Sequence, residues 1–255
     1  MERKPSNRTL LACCGACLVF LLLLAGISSC NKSGADCFTS TGAIVSQMRE
    51  AADFDTIIAK ENVDIVLTQD SVNSIMVEAG KNIVDGITTV ITDRQLFIDN
   101  TNTCNWVRSY DKPLRVHVHA KNLRKLWYLS AGNITTTNAI NTPSFLLDVW
   151  GGCGSIDLNL NVINGFIYEH LGTADITLRG RVVYNSVVSG DFGLLQLKDL
   201  STDFTYISNT GTNNCYVNVH KSLDATIRSI GDIYYTGKPD TIHAHILGAG
   251  HLIEY

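Results

Sequence analysis

Four constellations of residues could carry chemistry. The first is Ile27-Ser28-Ser29-Cys30, which closes an apolar run from Leu10 to Ile27 that itself follows a cationic start, Met1 to Arg8. The run is long enough to span a bilayer, so the motif behind it decides. Two small residues before a cysteine match a lipobox, where a peptidase cuts ahead of a thiol already joined to diacylglycerol. Residues 1–29 therefore read as a signal peptide and Cys30 as the lipid-bearing N-terminus. Three acyl chains, palmitate among them, hold a protein at a membrane far more firmly than one.

The other three constellations are weaker. His117-Val118-His119 and His243-Ala244-His245 each place two imidazoles on one strand face, as zinc would want, but a catalytic zinc needs a third protein ligand and no local motif offers it. They read as surface or edge histidines, with no metal or cofactor expected. Asn133, Asp157, Asp175, Asp191, Asn213 and Asp232 sit beside glycines, where a ladder of carboxylates could bind calcium or attack acidic polysaccharide. Their offsets from the glycine are unequal and no Lys or Arg recurs to take a proton, so they read as solvated turn residues. Tyr128, Trp150 and Tyr168 each lie four residues before a glycine, and the same offset later holds Ser186, Ile207, Ile227 and Ile246. That column reads either as an inward aromatic stack or as an outward platform for sugars, with Trp127, one residue out of phase, the better exposed candidate.

Positioning these residues falls to β-structure. From Phe54 onward apolar and polar residues alternate, with Val63, Ile65 and Leu67 on one strand face and Ile75 and Val77 on the next. No long stripe of period 3.6 occurs, so the body reads as all-β. A turn containing glycine recurs at Gly132, Gly154, Gly172, Gly190, Gly211, Gly231 and Gly250. A spacing near 20 residues is the signature of a solenoid. Five corners read glycine, polar, apolar (Gly132-Asn-Ile134, Gly154-Ser-Ile156, Gly190-Asp-Phe192, Gly231-Asp-Ile233, Gly250-His-Leu252), while Gly172 and Gly211 carry two residues more before Ile176 and Cys215. An insertion of two keeps the same side inward. Glycine at such a corner permits a positive φ or a close backbone approach. About seven turns are expected, since single coils bury too little and must stack. The expected organisation is a signal peptide at 1–29, a lipidated tether at 30–52, an N-terminal strand region at 53–128 continuous with the solenoid, and β-helix repeats at 129–255.

Charge and cysteines exclude some functions and constrain the compartment. The net charge of −4 gives no nucleic-acid footprint, which needs a basic surface. Removing the leader, with three cations and one acid, leaves the chain more acidic. Of eight cysteines, Cys13, Cys14 and Cys17 leave with the leader and Cys30 takes lipid; Cys37, Cys104, Cys153 and Cys215 remain in an oxidising compartment. Cys153 and Cys215 fall three turns apart, roughly 14 Å along a stack with strands ~4.8 Å apart, too far for a disulfide. Cys215 is expected to be buried and inert, and Cys37 could reach Cys104.

Phe54-Asp-Thr-Ile57, Val63-Asp-Ile-Val-Leu-Thr-Gln69, Val77-Glu-Ala79, the run from Cys104 to Val116 and Gly231-Asp-Ile-Tyr-Tyr-Thr-Gly-Lys-Pro239 resemble the putative auto-transporter adhesin head GIN domain family over residues 52 to 255. Gly132-Asn-Ile134 is the local equivalent of the corner that names the family. The resemblance implies a right-handed parallel β-helix on a Bacteroidota lipoprotein and no enzymatic chemistry. Asp55-Thr56-Ile57, Asp70-Ser71-Val72 and Asp240-Thr241-Ile242 resemble the O-glycosylation pattern of that phylum. Asn31 rather than Asp after the lipid cysteine resembles an outer-membrane sorting signal. The expected function is a non-catalytic envelope lipoprotein that presents a β-helical surface to a glycan or protein. The alternatives are a polysaccharide lyase or hydrolase on the same scaffold, and a structural envelope component. A carboxylate pair facing a groove would favour the enzyme; an exposed aromatic or polar strip would favour binding.

Overall fold

The computed structural model describes residues 40–103 and 112–255; the stretch 1–29 expected to be a signal peptide, Cys30, Cys37 and Cys104 lie outside the described residues. Among these there is no α-helix, only a 3-10 turn at Val84–Gly86, and the strands are β1 (Ile44–Arg49), β2 (Thr56–Glu61), β3 (Asp64–Gln69), β4 (Ser74–Gly80), β5 (Ile87–Thr92), β6 (Gln95–Asn100), β7 (Arg115–Ala120), β8 (Lys125–Ser130), β9 (Ile134–Thr136), β10 (Ile140–Gly152), β11 (Ser155–Leu171), β12 (Asp175–Ser189), β13 (Leu195–Asn209), β14 (Cys215–Ile227), β15 (Ile233–Thr236), β16 (Thr241–Ile246) and β17 (Leu252–Glu254). They form one mixed sheet. From β8 to β17 every pairing is parallel, each strand lying on the strand one coil earlier. This is a parallel β-solenoid of about six turns, its ends marked by the first and last of the seven corner glycines.

The long strands bend in the middle, and the side-chain alternation shows where. In β11 the inward residues are Ile156, Leu158, Leu160 and Val162, then Gly165, Ile167 and Glu169, so Ile163 and Asn164 are two successive residues outside the core and mark the bend. One inward column runs through the whole stack: Ile65, Ile134, Ile156, Ile176, Leu195, Cys215, Ile233 and Leu252 are in register. All but Leu252 are buried. The two-residue insertions at Gly172 and Gly211 thus keep Ile176 and Cys215 inward. Burial pushes the Cys215 thiol up to about 12, as an inert apolar filler requires, while Cys153 is exposed on its corner.

Phe192 departs from the glycine, polar, apolar rule. Leu195 holds its place in the column, and Phe192 is 59% exposed. The corner is longer because the Gly193 N–H donates to Glu169 Oε1 at 3.0 Å, which folds the extra residues over a buried carboxyl.

Close approach explains the corner glycines better than φ. Only Gly172 of the seven has a positive φ, at 124°. A Cβ at Gly132 would lie 2.1 Å from the Val63 carbonyl oxygen, and one at Gly211 2.2 Å from that of Asp191. All seven corners meet the backbone of an earlier coil in this way, so the glycine sets how closely the coils can stack. Buried polar side chains then satisfy the corner amides: Ser130 Oγ accepts from Gly132 N–H at 2.9 Å, and Asn209 Oδ1 accepts from Gly211 N–H at 3.0 Å.

The N-terminal strands close one end. β2 and β3 run parallel to β8 and β9, while β4 lies antiparallel to β7 and β1 antiparallel to β4. β1 therefore occupies part of the stretch expected to be a tether. As an edge strand with Ile44 and Met48 exposed, it needs no apolar alternation, and Arg49 Nη2 donates to the Val84 carbonyl at 3.0 Å to hold it.

Candidate functional site

The second halves of the long strands carry a strip of outward aromatic rings across successive coils. Trp127 on β8 is in register with Asp148 on β10, and Asp148 with Tyr168 on β11. Trp150, 46% exposed, stacks on His170 with centroids 4.1 Å apart, and His170 meets the Tyr168 ring edge-on at 6.3 Å. Asp148 holds this end together, taking Lys125 Nζ at 2.9 Å and His170 Nε2 at 3.2 Å. The same Lys125 ammonium lies 4.9 Å from the Trp127 ring centroid, within cation–π reach. Among the described residues the Trp127 indole N–H has no partner.

The strip continues into a groove of about 350 Å³. Phe166, Tyr184, Phe204 and Tyr206 supply its rings; Tyr184 stacks on Phe204 at 5.0 Å with planes 9° apart. Tyr184 is 52% exposed and Tyr206 47%. Asn185 and Asp224 line it as well. Asn185 contributes only backbone to the groove: it holds the inward phase with Gly165 and Thr205 and is 4% exposed, and among the described residues its amide atoms and the buried Asp224 Oδ1 have no hydrogen-bond partner.

The structure thus brings Trp127, Trp150 and Tyr168 onto one face and removes Tyr128 from the group. Tyr128 is inward and fully buried; its hydroxyl donates to the Gly132 carbonyl at 2.9 Å and accepts from Gly154 N–H at 3.0 Å, and burial pushes it up to about 12. A register shift after Val149, at Trp150 and Gly151, turns Trp150 outward: Tyr128 pairs with Val149, not with Trp150. Phe166, Tyr184, Phe204, Tyr206, His170, Asn185 and Asp224 were not anticipated. A count of about 20 residues from the inward column, rather than from the glycine, links Tyr184 to Phe204 and Ser186 to Tyr206.

The acids and amides beside the corners do form a ladder, but a structural one. Counted back one residue from the inward column they are Asp64, Asn133, Asp175, Asn214 and Asp232, and each side chain accepts the N–H of the residue stacked on it. The distances are 2.8 Å for Asp64 to Asn133, 3.0 Å for Asn133 to Ser155, 3.1 Å for Asp175 to Leu194, 3.0 Å for Asn214 to Asp232 and 2.7 Å for Asp232 to His251. Of the remaining acids, Asp157 pairs with Arg179 and Asp191 Oδ2 accepts from Gly172 N–H at 2.6 Å. Their acceptor capacity serves the coil joints.

The histidine pairs separate. His117 Nε2 lies 3.2 Å from Glu78 and His119 Nδ1 2.9 Å from Asp70; the His119 contact holds the Asp70 carboxyl below its usual range. His243 and His245 stand exposed on β16. Among the described residues no group of three or more His, Cys, Asp and Glu is arranged to hold a metal ion.

Solved structures share the fold at low identity. A putative adhesin from Bacteroides fragilis aligns with a TM-score of 0.76 at 20% identity, covering 84% of this chain and 97% of that one. A putative adhesin and a putative lipid binding protein, both from Parabacteroides distasonis, align with TM-scores of 0.61 and 0.60, each at 18% identity. They cover 84% and 85% of this chain, and 98% of each of those chains. No curated protein matches the chain. The family described as putative auto-transporter adhesin, head GIN domain, matches residues 53–239, a span that holds six of the seven corner glycines and most of the inward column, and the chain belongs to this family.

Proposed function

We propose that this protein is a non-catalytic binding module of the cell envelope, tethered through lipid on Cys30 and displaying the aromatic strip of its solenoid face to glycans. The observation that carries the reading is the strip itself: Trp150 on β10, Tyr184 on β12 and Tyr206 on β13 are large rings held half in solvent. Exposed aromatic faces cost solvation and mark contact surfaces. The apolar face of a sugar ring stacks on them. The acids near the corners are occupied as backbone acceptors, which argues against their use as a lyase or hydrolase pair. Adhesin names among proteins of this fold accord with an envelope location.

Two experiments test the reading. Probing an array of neutral and acidic glycans with the full-length protein in detergent micelles should give bound spots that a Trp127→Ala/Trp150→Ala double variant loses. Reproducible turnover of any arrayed glycan, or binding indifferent to both substitutions, would sink it. For the anchor, Cys30→Ser should leave the protein unprocessed or free of the outer-membrane fraction, and mature-sized protein retained there would refute the lipid.

A further inference from the structure

We propose that the open C-terminal edge is a zinc-dependent interface between two copies of this chain, in which β16 pairs antiparallel with the β16 of a second copy and His243 and His245 of both copies hold one ion. The inference rests on β16 and is independent of the glycan reading.

Three observations converge on it. The first is the sequence of the strand: Ile242-His243-Ala244-His245-Ile246 reads the same in both directions about Ala244. Antiparallel pairing about a two-fold axis through Ala244 therefore sets Ile242 against the second copy's Ile246, Ala244 against the second copy's Ala244, and His243 against the second copy's His245. A patch that meets its own copy in this way is self-complementary, as a closed two-fold interface requires. Slipping the pairing by one residue would set Ile242 beside an imidazole and turn the two apolar faces to opposite sides.

The second observation is that this edge is unguarded. Ile242, Ala244 and Ile246 continue an inward column over the buried Leu223, Ala225 and Ile227, with Ile242 40% and Ile246 51% exposed. No Asp, Glu, Lys or Arg occurs among the six residues of β16. The edge strand β1 differs: Gln47 and Arg49 take its inward phase, opposite the buried Val77 and Ile75. An inward charge of that kind blunts an edge against pairing with another chain, and β16 lacks one. With like faces matched, the cores of the two copies lie on the same side of the joined sheet.

The third observation is the pair of histidines. In one chain they supply two of the four ligands of a structural zinc site, and among the described residues no third ligand joins them. The second copy brings two more imidazoles. Directly opposed residues of an antiparallel pair have Cβ atoms ~4.5–5.5 Å apart, so the four rings gather around the two-fold axis on the outward face. The rung beneath carries Asp224 and Thr226, and a carboxylate there favours a dication. A pair of six-residue strands is small beside the ~1,000 Å² of a stable interface, so the ion is needed to hold the copies together. The outward column that includes Tyr206 runs on through Asp224 to His243; joined in this way, two aromatic strips share one sheet face.

The test is sedimentation equilibrium of the full-length protein in density-matched detergent micelles, with EDTA or with zinc chloride. The expected result is a monomer in EDTA and a dimer in zinc that holds one ion per two chains by atomic absorption. His243→Ala and His245→Ala should each abolish the dimer and leave the unfolding temperature in EDTA unchanged, while His117→Ala should dimerise as the parent does. Cobalt in place of zinc should give the visible absorption of a tetrahedral site, which both β16 variants lose. Ala244→Cys, oxidised in the presence of zinc, should yield a peptide crosslinked to its own copy through that position, because a disulfide fits directly opposed residues. A monomer in zinc, a dimer that survives EDTA or either β16 histidine variant, or one ion per chain without dimerisation overturns the proposal. Self-crosslinking of Ile242→Cys in place of Ala244→Cys refutes the pairing about Ala244 and the four-histidine site with it.

Discussion

The two ends of the solenoid are built differently. At the N-terminal end β2 and β3 lie on β8 and β9, and the antiparallel strands β4 and β1 extend the sheet beyond them, so Ile65, Leu126 and Ile134 are buried with neighbours on both sides. At the C-terminal end β16 pairs, among the described residues, with β14 alone, and all six of its residues are exposed. Ile242, Ala244 and Ile246 are in register with the buried Leu223, Ala225 and Ile227, yet nothing among the described residues stacks on them. A residue's place in an inward column therefore does not fix its burial; the next coil does. Stability in a stack is a sum over neighbours, and the last coil has half of them.

The largest effect should come from a corner glycine. Gly132→Ala puts a methyl 2.1 Å from the Val63 carbonyl oxygen, between two fixed backbones, and should cost about 3 kcal/mol or more in chemical denaturation. Gly250→Ala meets the Gly231 carbonyl oxygen at 2.3 Å but on a coil free to move away, and should cost clearly less. Equal costs would mean that the last coil is as rigid as the first. Next, Leu158→Ala in the middle of the stack should lose about 2–5 kcal/mol, whereas Ile246→Ala at the open end should stay within about 0.5 kcal/mol of the parent.

A pH-dependent difference is expected inside the stack. Burial holds the Glu169 carboxyl up at about 6, above its ordinary 4.5, although Ser189 Oγ donates to it at 3.1 Å and Gly193 N–H at 3.0 Å. Below pH 4.5 the group is neutral in folded and unfolded chains alike. Between 4.5 and 6 the unfolded chain ionises first, so stability is lost as pH rises through that window. Glu169→Gln removes this loss, and its stability relative to the parent should rise by up to ~2 kcal/mol between pH 4.5 and pH 7. A difference independent of pH would show that the carboxyl titrates as it would in water. The smallest effect concerns the side-chain ladder. Asp64→Ala should cost about 1 kcal/mol or less and speed hydrogen exchange at the Asn133 amide; Asp232→Ala should speed exchange at His251 with a still smaller loss of stability.

The repeat was legible because backbone contact that excludes any side chain leaves a glycine at every corner, and because Val63, Ile65, Leu67, Ile75 and Val77 alternate as one-sided strands do. What glycine counting blurred was phase. Corner lengths differ, so the glycine is a poor origin: it set Phe192 inward in place of Leu195 and grouped Trp150 with Tyr128. The same choice of origin made the offsets of Asn133, Asp175 and Asp232 look unequal, though all three precede a column residue by one. β1 carried no signal because an edge strand with an exposed Met48 has no face to pattern. The groove was illegible for another reason: Tyr184, Phe204 and Tyr206 share one face only when coils stack.

The register of Ile65 with Ile134 also bears on the order of events in folding. Successive coils from Ile134 onward meet partners 18 to 22 residues away, so each closes a short loop, and once one pair of coils exists the next can add to it as on a template. β3 must instead find β9 at a separation of 69 positions, from Ile65 to Ile134, at a greater loop-closure entropy. The covered end of the stack is therefore the slow one to assemble, and the open end is where a nascent coil adds most readily.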